Sequence, residues 1–330
     1  MTIGIGISGR YAGFAALRGL EAVEAFARGM LGGFVSLAVI TRDGQLLRGY
    51  TQRGGVYAIC YDGVEGPMLV RECPFPGTVS LTIPLAIATA ERAVLISSGP
   101  DRAEPLSQFA PGDPAVGLIS GHRLPNMPGS VDQPLAINLA CLEQMRAGAD
   151  PAQAVSDVLT ACPAADAGLI AVAGDGRIGI GNSALVERRS DAGACLLAQD
   201  GIRIGVLHNS IFPTHGLAAL AAGAALDAIE PADAADFTIR LNTGLALEVA
   251  DVPQVTVNAE GVVTRLQVGN PGWGTPSWQG AAAMRDTCVF DGSGQLLGRL
   301  VTEAYCQAQD GKLLWCNGQP TAELWVRAAD

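Results

Sequence analysis

Charge is scarce in this sequence. Asp, Glu, Lys and Arg make up 16% of its 330 residues, against 49% hydrophobic residues. So little polar surface would cover a monomer poorly, and burial of one face in a homo-oligomer is expected. Histidine is scarcer still, at three residues, and the eight cysteines lie far apart with no C-x-x-C pair. That pattern argues against a zinc site and against a disulfide framework. No metal and no cofactor are therefore expected, the thiols read as reduced core fillers, and the expected location is cytoplasmic. Basic runs interleaved with aromatics are missing, and the net charge of −11 repels phosphate backbones, which argues against nucleic acid. The basic-then-apolar start of a signal peptide is also missing. The uncharged stretch 73–90 contains Pro74, Pro76 and Pro84, which makes a membrane helix improbable.

Turn chemistry, by contrast, is plentiful. Six Asp-Gly dipeptides begin at Asp43, Asp62, Asp175, Asp200, Asp291 and Asp310, most of them between alternating apolar runs. Asp-Gly accepts the positive backbone angles of a tight hairpin, so the spacing predicts largely antiparallel, hairpin-built sheets. Ala-rich helical segments accompany them. Leu17, Leu20, Val23, Phe26 and Ala27 mark the buried face of one helix, and the apolar Leu139, Leu142 and Met145 stand at helical spacing in another. At Asp150-Pro151-Ala152-Gln153 a cap, a pre-set proline and a potential capping box start a third helix. A fourth runs over 217–229.

The organising stretch is 121–191: a polar Gly/Pro-rich loop, two helices, then a hairpin around Asp175-Gly176. Residues 33–55 repeat its second half, a hairpin around Asp43-Gly44 after a helix. A further hairpin is expected around Asp62-Gly63, and a strand interrupted at Pro84 over 78–89. Gly4, Gly6 and Gly9 match the dinucleotide pattern G-x-G-x-x-G, which would make the chain a nucleotide-dependent oxidoreductase. Here the pattern would consume the strand it should follow, so close packing is the preferred reading. From residue 236 on the pattern turns to strands, with all four tryptophans in 273–325. A main body over 1–235 and a β-rich region over 236–330 are expected.

Gly148, Pro151, Ala154-Val155 and the hairpin Asp166–Ser183 around Asp175-Gly176 resemble the N-terminal-nucleophile (Ntn) hydrolase superfamily. The likeness is to its isoaspartyl peptidase and asparaginase branch. That resemblance implies an α+β fold, a layered helix–sheet–sheet–helix (αββα) sandwich. It further implies amide hydrolysis, and substrate binding by the segment that matches Thr51-Gln-Arg-Gly-Gly55. The family's nucleophile heads a strand, but Gly33-Phe34-Val35 and Asp166-Ala167-Gly168 offer no hydroxyl or thiol there. A single uncleaved chain with an internal side-chain base is therefore expected.

Amide hydrolysis needs a nucleophile, a base and an oxyanion site. The densest cluster of such groups is His208-Asn209-Ser210, just before the helix over 217–229. Ser210 or Ser183 is the candidate nucleophile, His208 or His122 the base, and Asn182 or Asn209 the oxyanion donor. For gripping a substrate the candidates are Arg10, Arg123, Asn126, Thr51, Asn209 and Arg189, the arginines because a guanidinium takes a carboxylate by two parallel bonds. The expected activity is hydrolysis of a small amide- or carboxylate-bearing metabolite. The competing reading is a non-catalytic binding or assembly protein on the same scaffold.

Overall fold

A computed structural model describes residues 2–27, 30–70, 81–121, 136–212, 215–229 and 235–329. The chain divides into two compact units, one drawn from residues up to Pro231 and the other from Ala232 onward. The first unit runs β1 (Thr2–Ser8), α1 (Ala12–Ala27), β2 (Phe34–Ile40), β3 (Leu46–Thr51), β4 (Cys60–Tyr61), β5 (Met68–Val70), β6 (Thr82–Pro84) and α2 (Leu85–Ala88). It continues with β7 (Arg92–Ser98), β8 (Gly112–Asp113), β9 (Gly117–Gly121), α3 (Ile137–Arg146), α4 (Pro151–Ala161), β10 (Gly168–Ala173) and β11 (Ile178–Asn182). It ends with α5 (Ala184–Glu187), β12 (Ala192–Gln199), β13 (Ile202–Asn209) and α6 (Leu217–Ile229).

Seven strands form one sheet in the order β12-β13-β1-β7-β2-β3-β4, and four form a second, β11-β10-β9-β8. All their ladders are antiparallel. The hairpin β2–β3 lies in the first sheet and the hairpin β10–β11 in the second.

The sequence of β1 accounts for what packs on each of its faces. Side chains alternate along a strand, so Ile3, Ile5 and Ile7 share one face and Thr2, Gly4 and Gly6 the other. The isoleucines enter a core with Leu17, Leu20 and Val23 of α1 and with Ala221, Ala222 and Ala225 of α6. The glycine face receives the second sheet. A Cβ on Gly4 would lie 3.2 Å from Ile170 Cδ1, and one on Gly6 only 2.4 Å from Ile170 Cγ2. These glycines are used for close packing. Ala38, Ile40, Val94, Leu118, Ile170, Val172 and Leu207 form the core where the two sheets meet. On β10, Leu169 and Ala171 alternate to the opposite face and pack with Leu142 of α3 and Val155 and Val158 of α4.

Asp150 caps α4 by accepting from Ala152 N at 2.8 Å, with Pro151 at the first helical position. Such a cap is worth about 0.5–2 kcal/mol. Gln153 does not complete a capping box, because its amide turns forward to Asp157 Oδ1 at 2.6 Å. Three further expectations are corrected. Phe26 is 53% exposed, because the helix rotates it out of the stripe that Val23 and Ala27 bury. Asp62-Gly63 turns the chain without closing a hairpin: β4 pairs back with β3, and β5 pairs with β6. After Pro84 the chain forms α2 rather than a continued strand; residues 71–80 lie outside the described residues.

The second unit is built of strands: β14 (Phe237–Asn242), β15 (Leu247–Val249), β16 (Gln254–Val257), β17 (Val263–Val268), β18 (Ser277–Ala283), β19 (Cys288–Asp291), β20 (Leu296–Leu300), β21 (Ala304–Gln309), β22 (Lys312–Cys316) and β23 (Thr321–Ala328). A seven-stranded sheet has the order β14-β23-β20-β19-β16-β17-β15, and β18-β21-β22 form a smaller one. Its pairings are antiparallel except β15–β17 and β16–β19. Trp273, 2% exposed, centres its core. Among the described residues no helix is long and apolar enough to cross a membrane.

Candidate functional site

A cavity of about 300 Å³ lies in the first unit where strands of both sheets begin or end. Thr2 heads β1, Asn209 ends β13, Ser120 and Gly121 end β9, Gly168 heads β10 and Asn182 ends β11; all line it. Antiparallel pairing gathers these ends: Thr2 stands opposite Asn209, and Gly168 opposite Asn182. Ile96, Ile170 and Leu207 supply the apolar wall, and Arg102 and Asp166 the charged lining. This volume is at the lower end for ligand pockets and corresponds to roughly ten water molecules, so it suits a small metabolite.

Strand alternation decides which groups face inward. Thr2 shares the face of Gly4, against which Ser120 Oγ and Ile170 lie. Asn209 shares the face of Leu207, which is part of the core between the sheets. Gly168 lets the Asn182 carboxamide in, since a Cβ there would be 2.5 Å from Asn182 Oδ1. Ser120 is 2% exposed and donates its hydroxyl to Leu95 O at 2.9 Å, which fixes its rotamer.

His208 touches the cavity but faces elsewhere. It has the parity of Ile204 and Val206, whose side chains join the helix-covered core. Its ring sits against Gly193 of β12, where a Cβ would be 2.3 Å from Nε2. At 3% exposure its imidazole is a packed side chain on the side of the sheet away from Thr2.

Beside the cavity is an ion-pair network. Arg189 donates to Asp191 through Nε at 2.8 Å and Nη2 at 2.9 Å, and through Nη1 to Asp166 at 3.0 Å. Ser210 receives a bond from Arg189 and donates to Asp191 Oδ2 at 3.2 Å. The Arg189 fork, followed by the Ser210 hydroxyl, holds the Asp191 carboxyl down to about 2. Arg189 is thus committed to two carboxylates, and the Ser210 hydroxyl is held between Arg189 and Asp191.

The remaining expected residues separate. Ser183 is fully buried and caps α5, accepting from Val186 N at 3.3 Å and donating to Ala165 O. Arg10 is exposed and follows β1 at the end opposite Thr2, roughly 20 Å along the strand. Thr51 donates to Arg53 O at 2.7 Å and stays out of the cavity lining. Its neighbour Gln52 reaches the loop of Arg102, accepting from Arg102 N at 3.2 Å. His122, Arg123 and Asn126 lie outside the described residues. Among the described residues no three His, Cys, Asp or Glu side chains are grouped to hold a metal.

Sequence reasoning missed Thr2, Ser120, Arg102 and Asp166. For Thr2 a signal existed: a hydroxyl residue heading an alternating strand whose other inward positions are glycine.

Comparison with curated proteins returns no match. Residues 244–321 match a family model described as Domain of unknown function (DUF7259). Residues 2–238 match the model described as Domain of unknown function (DUF6963), and the chain belongs to that family.

Proposed function

We propose that the first unit is an Ntn-like hydrolase of small amide-bearing metabolites, with Thr2 as its nucleophile once the Met1–Thr2 bond is cut. The observation that carries this reading is the place of Thr2, heading a central strand and lining the cavity opposite Asn209. The layering that accompanies it is helix–sheet–sheet–helix: α1 and α6 on one sheet, α3 and α4 on the other. The resemblance in the hairpin Asp166–Ser183 implies the same layering. Against the expected side-chain machinery stand the capping role of Ser183, the bonded hydroxyl of Ser210 and the helix-covered face that His208 occupies.

The chemistry follows from a free α-amino group on Thr2. The amine takes the proton of Oγ1 as Oγ1 adds to the substrate carbonyl. The oxyanion formed is met by carboxamide N–H groups, with Asn209 and Asn182 the nearest candidates. Collapse of the intermediate breaks the C–N bond, and the ammonium returns its proton to the leaving amine. Water, deprotonated by the same amine, then cleaves the ester and restores Thr2.

Intact-mass spectrometry combined with a Thr-directed acylating probe tests this reading. A chain beginning at Thr2, acylated there and inert as Thr2→Ala, is the expected result. An uncleaved Met1–Thr2 bond in a protein that still binds small molecules would replace it with the non-catalytic reading.

A further inference from the structure

We infer that the ligand of this cavity carries a carboxylate and that Arg102 is the group that holds it. The inference rests on the cavity being the substrate site.

The loop after β7 holds Arg102 by its backbone and leaves the guanidinium available. Gln52 accepts from Arg102 N at 3.2 Å and donates its own amide to Arg102 O. Asp101 is taken by Arg53, with Nε 3.0 Å from Oδ2, and Glu104 accepts from Gln52 at 3.1 Å and from Leu106 N at 3.0 Å. Each carboxylate flanking Arg102 in sequence is therefore engaged by another group. Asp166, the other charged group in the lining, is bonded to Arg189.

The Arg102 guanidinium lies over the buried ring of Phe34, Cζ 5.9 Å from its centroid, and its Nε is out of solvent. That Nε has no hydrogen-bond partner among the described residues. Arg102 lines the cavity without an ion-pair partner among the described residues, and a carboxylate meets the accessible edge of a guanidinium with two parallel charge-assisted bonds. The Phe34 ring backs the guanidinium at cation–π distance. Apart from His208, whose ring faces the other side of its sheet, the other polar groups of the lining, Thr2, Ser120, Asn182 and Asn209, are neutral hydroxyls and carboxamides. They suit a neutral amide. The substrate class is therefore a small carboxylic acid bearing an amide, held at one end by Arg102 and presented to Thr2 at the other.

The test measures binding without turnover. In Thr2→Ala protein, N-acetylglycine and its neutral counterpart N-acetylglycinamide are titrated by calorimetry and by protein-observed NMR. N-acetylglycine is expected to bind at least tenfold tighter, with shifts at Arg102 and Gly168. Arg102→Met should weaken it about ten- to hundred-fold and leave the neutral amide unchanged. Arg102→Lys, which keeps the charge but loses the fork, should fall between and serves alone if Arg102→Met fails to fold. Equal binding of acid and amide, no saturable binding of the acid up to its solubility, or undiminished binding in either variant overturns the inference. Failure of the hydrolase reading is a separate result. Arg102-dependent binding with a catalytically inert Thr2 keeps the anchor and removes the enzyme, whereas turnover indifferent to Arg102 does the reverse.

Discussion

Thr2 and Asn209 are direct partners across the β1–β13 ladder, and each lies on the face of its strand turned toward the four-stranded sheet. Opposed side chains on one face of an antiparallel pair are close neighbours. A carboxamide is thus fixed beside the proposed nucleophile by two strands rather than by a loop. Asn209→Ala should lower kcat by about a hundred- to a thousand-fold with little change in KM, as expected for an oxyanion donor. Thr2→Ser should keep measurable turnover and Thr2→Ala should lose it, scored as amine release from a panel of small amides. An Asn209→Ala protein with full kcat would remove Asn209 from the oxyanion role.

Gly6 sets how closely the two sheets approach. A Cβ there meets Ile170 Cγ2 at 2.4 Å and Val172 Cγ2 at 3.0 Å, both within a filled core. Gly6→Ala should destabilise the first unit by about 1–3 kcal/mol in urea unfolding, by overpacking. Gly4→Ala, whose nearest neighbours are at 3.2 and 3.3 Å, should cost less. Trimming the obstacle is the control: Gly6→Ala with Ile170→Leu, which removes the Cγ2 methyl at near-constant volume, should recover part of the loss, and additive losses would contradict the packing account.

Local chemistry was legible where a local rule decides the outcome. Asp200-Gly201 and Asp310-Gly311 take positive φ at both residues, 46° and 81°, and 49° and 73°, as a tight hairpin turn requires. Asp150-Pro151 starts a helix for equally local reasons. Partner choice is not local. Asp62-Gly63 carries the same turn signal, yet β4 pairs back with β3 and β5 with β6, a competition that no dipeptide encodes. The site shows the same division. Asn182 and Asn209, expected from the sequence, end strands next to turns and line the cavity. Arg102 sits in a polar loop, and its importance comes from Gln52 and Phe34, which are distant in sequence.

Asp191 titrates low because of Arg189, and the sign of its effect follows. Its folded value of about 2 is below the ordinary carboxylate value of about 3.9. A depressed carboxylate stabilises the fold above the unfolded value, and that contribution is lost as pH falls from about 4 through about 2. In Arg189→Met the Asp191 titration, followed by NMR, should rise toward the ordinary value and the acid-unfolding limb should move up with it. An unmoved Asp191 would assign its shift to something other than the guanidinium.

Thiol reactivity should follow burial. Cys60 is exposed, while Cys141, Cys306 and Cys316 are fully buried, and burial pushes the Cys141 thiol up to about 12. Among the cysteines of the described residues, a reagent that needs thiolate should label Cys60 first in native protein and leave Cys141 untouched at mildly alkaline pH. Labelling of Cys141 at the rate of Cys60 would contradict its packing against α4 and β10.

His208 and the Thr2 amine give opposite expectations for turnover. The imidazole occupies the helix-covered face, against Gly193. Thr2 is on the other face, in the cavity. Replacing His208 with Leu should therefore cost stability through altered packing and leave kcat within about tenfold of the parent. The pH profile adds a second readout. A base works deprotonated, so activity rises with pH through its titration, near about 6.5 for an ordinary imidazole and near about 7.7–8.0 for an α-amino group. The kcat/KM profile should rise through the higher range and keep that midpoint in His208→Leu. A midpoint near the imidazole value that vanishes with His208, together with a collapse of kcat in a folded variant, would return the base to His208. Thr2 would then be left as a strand residue.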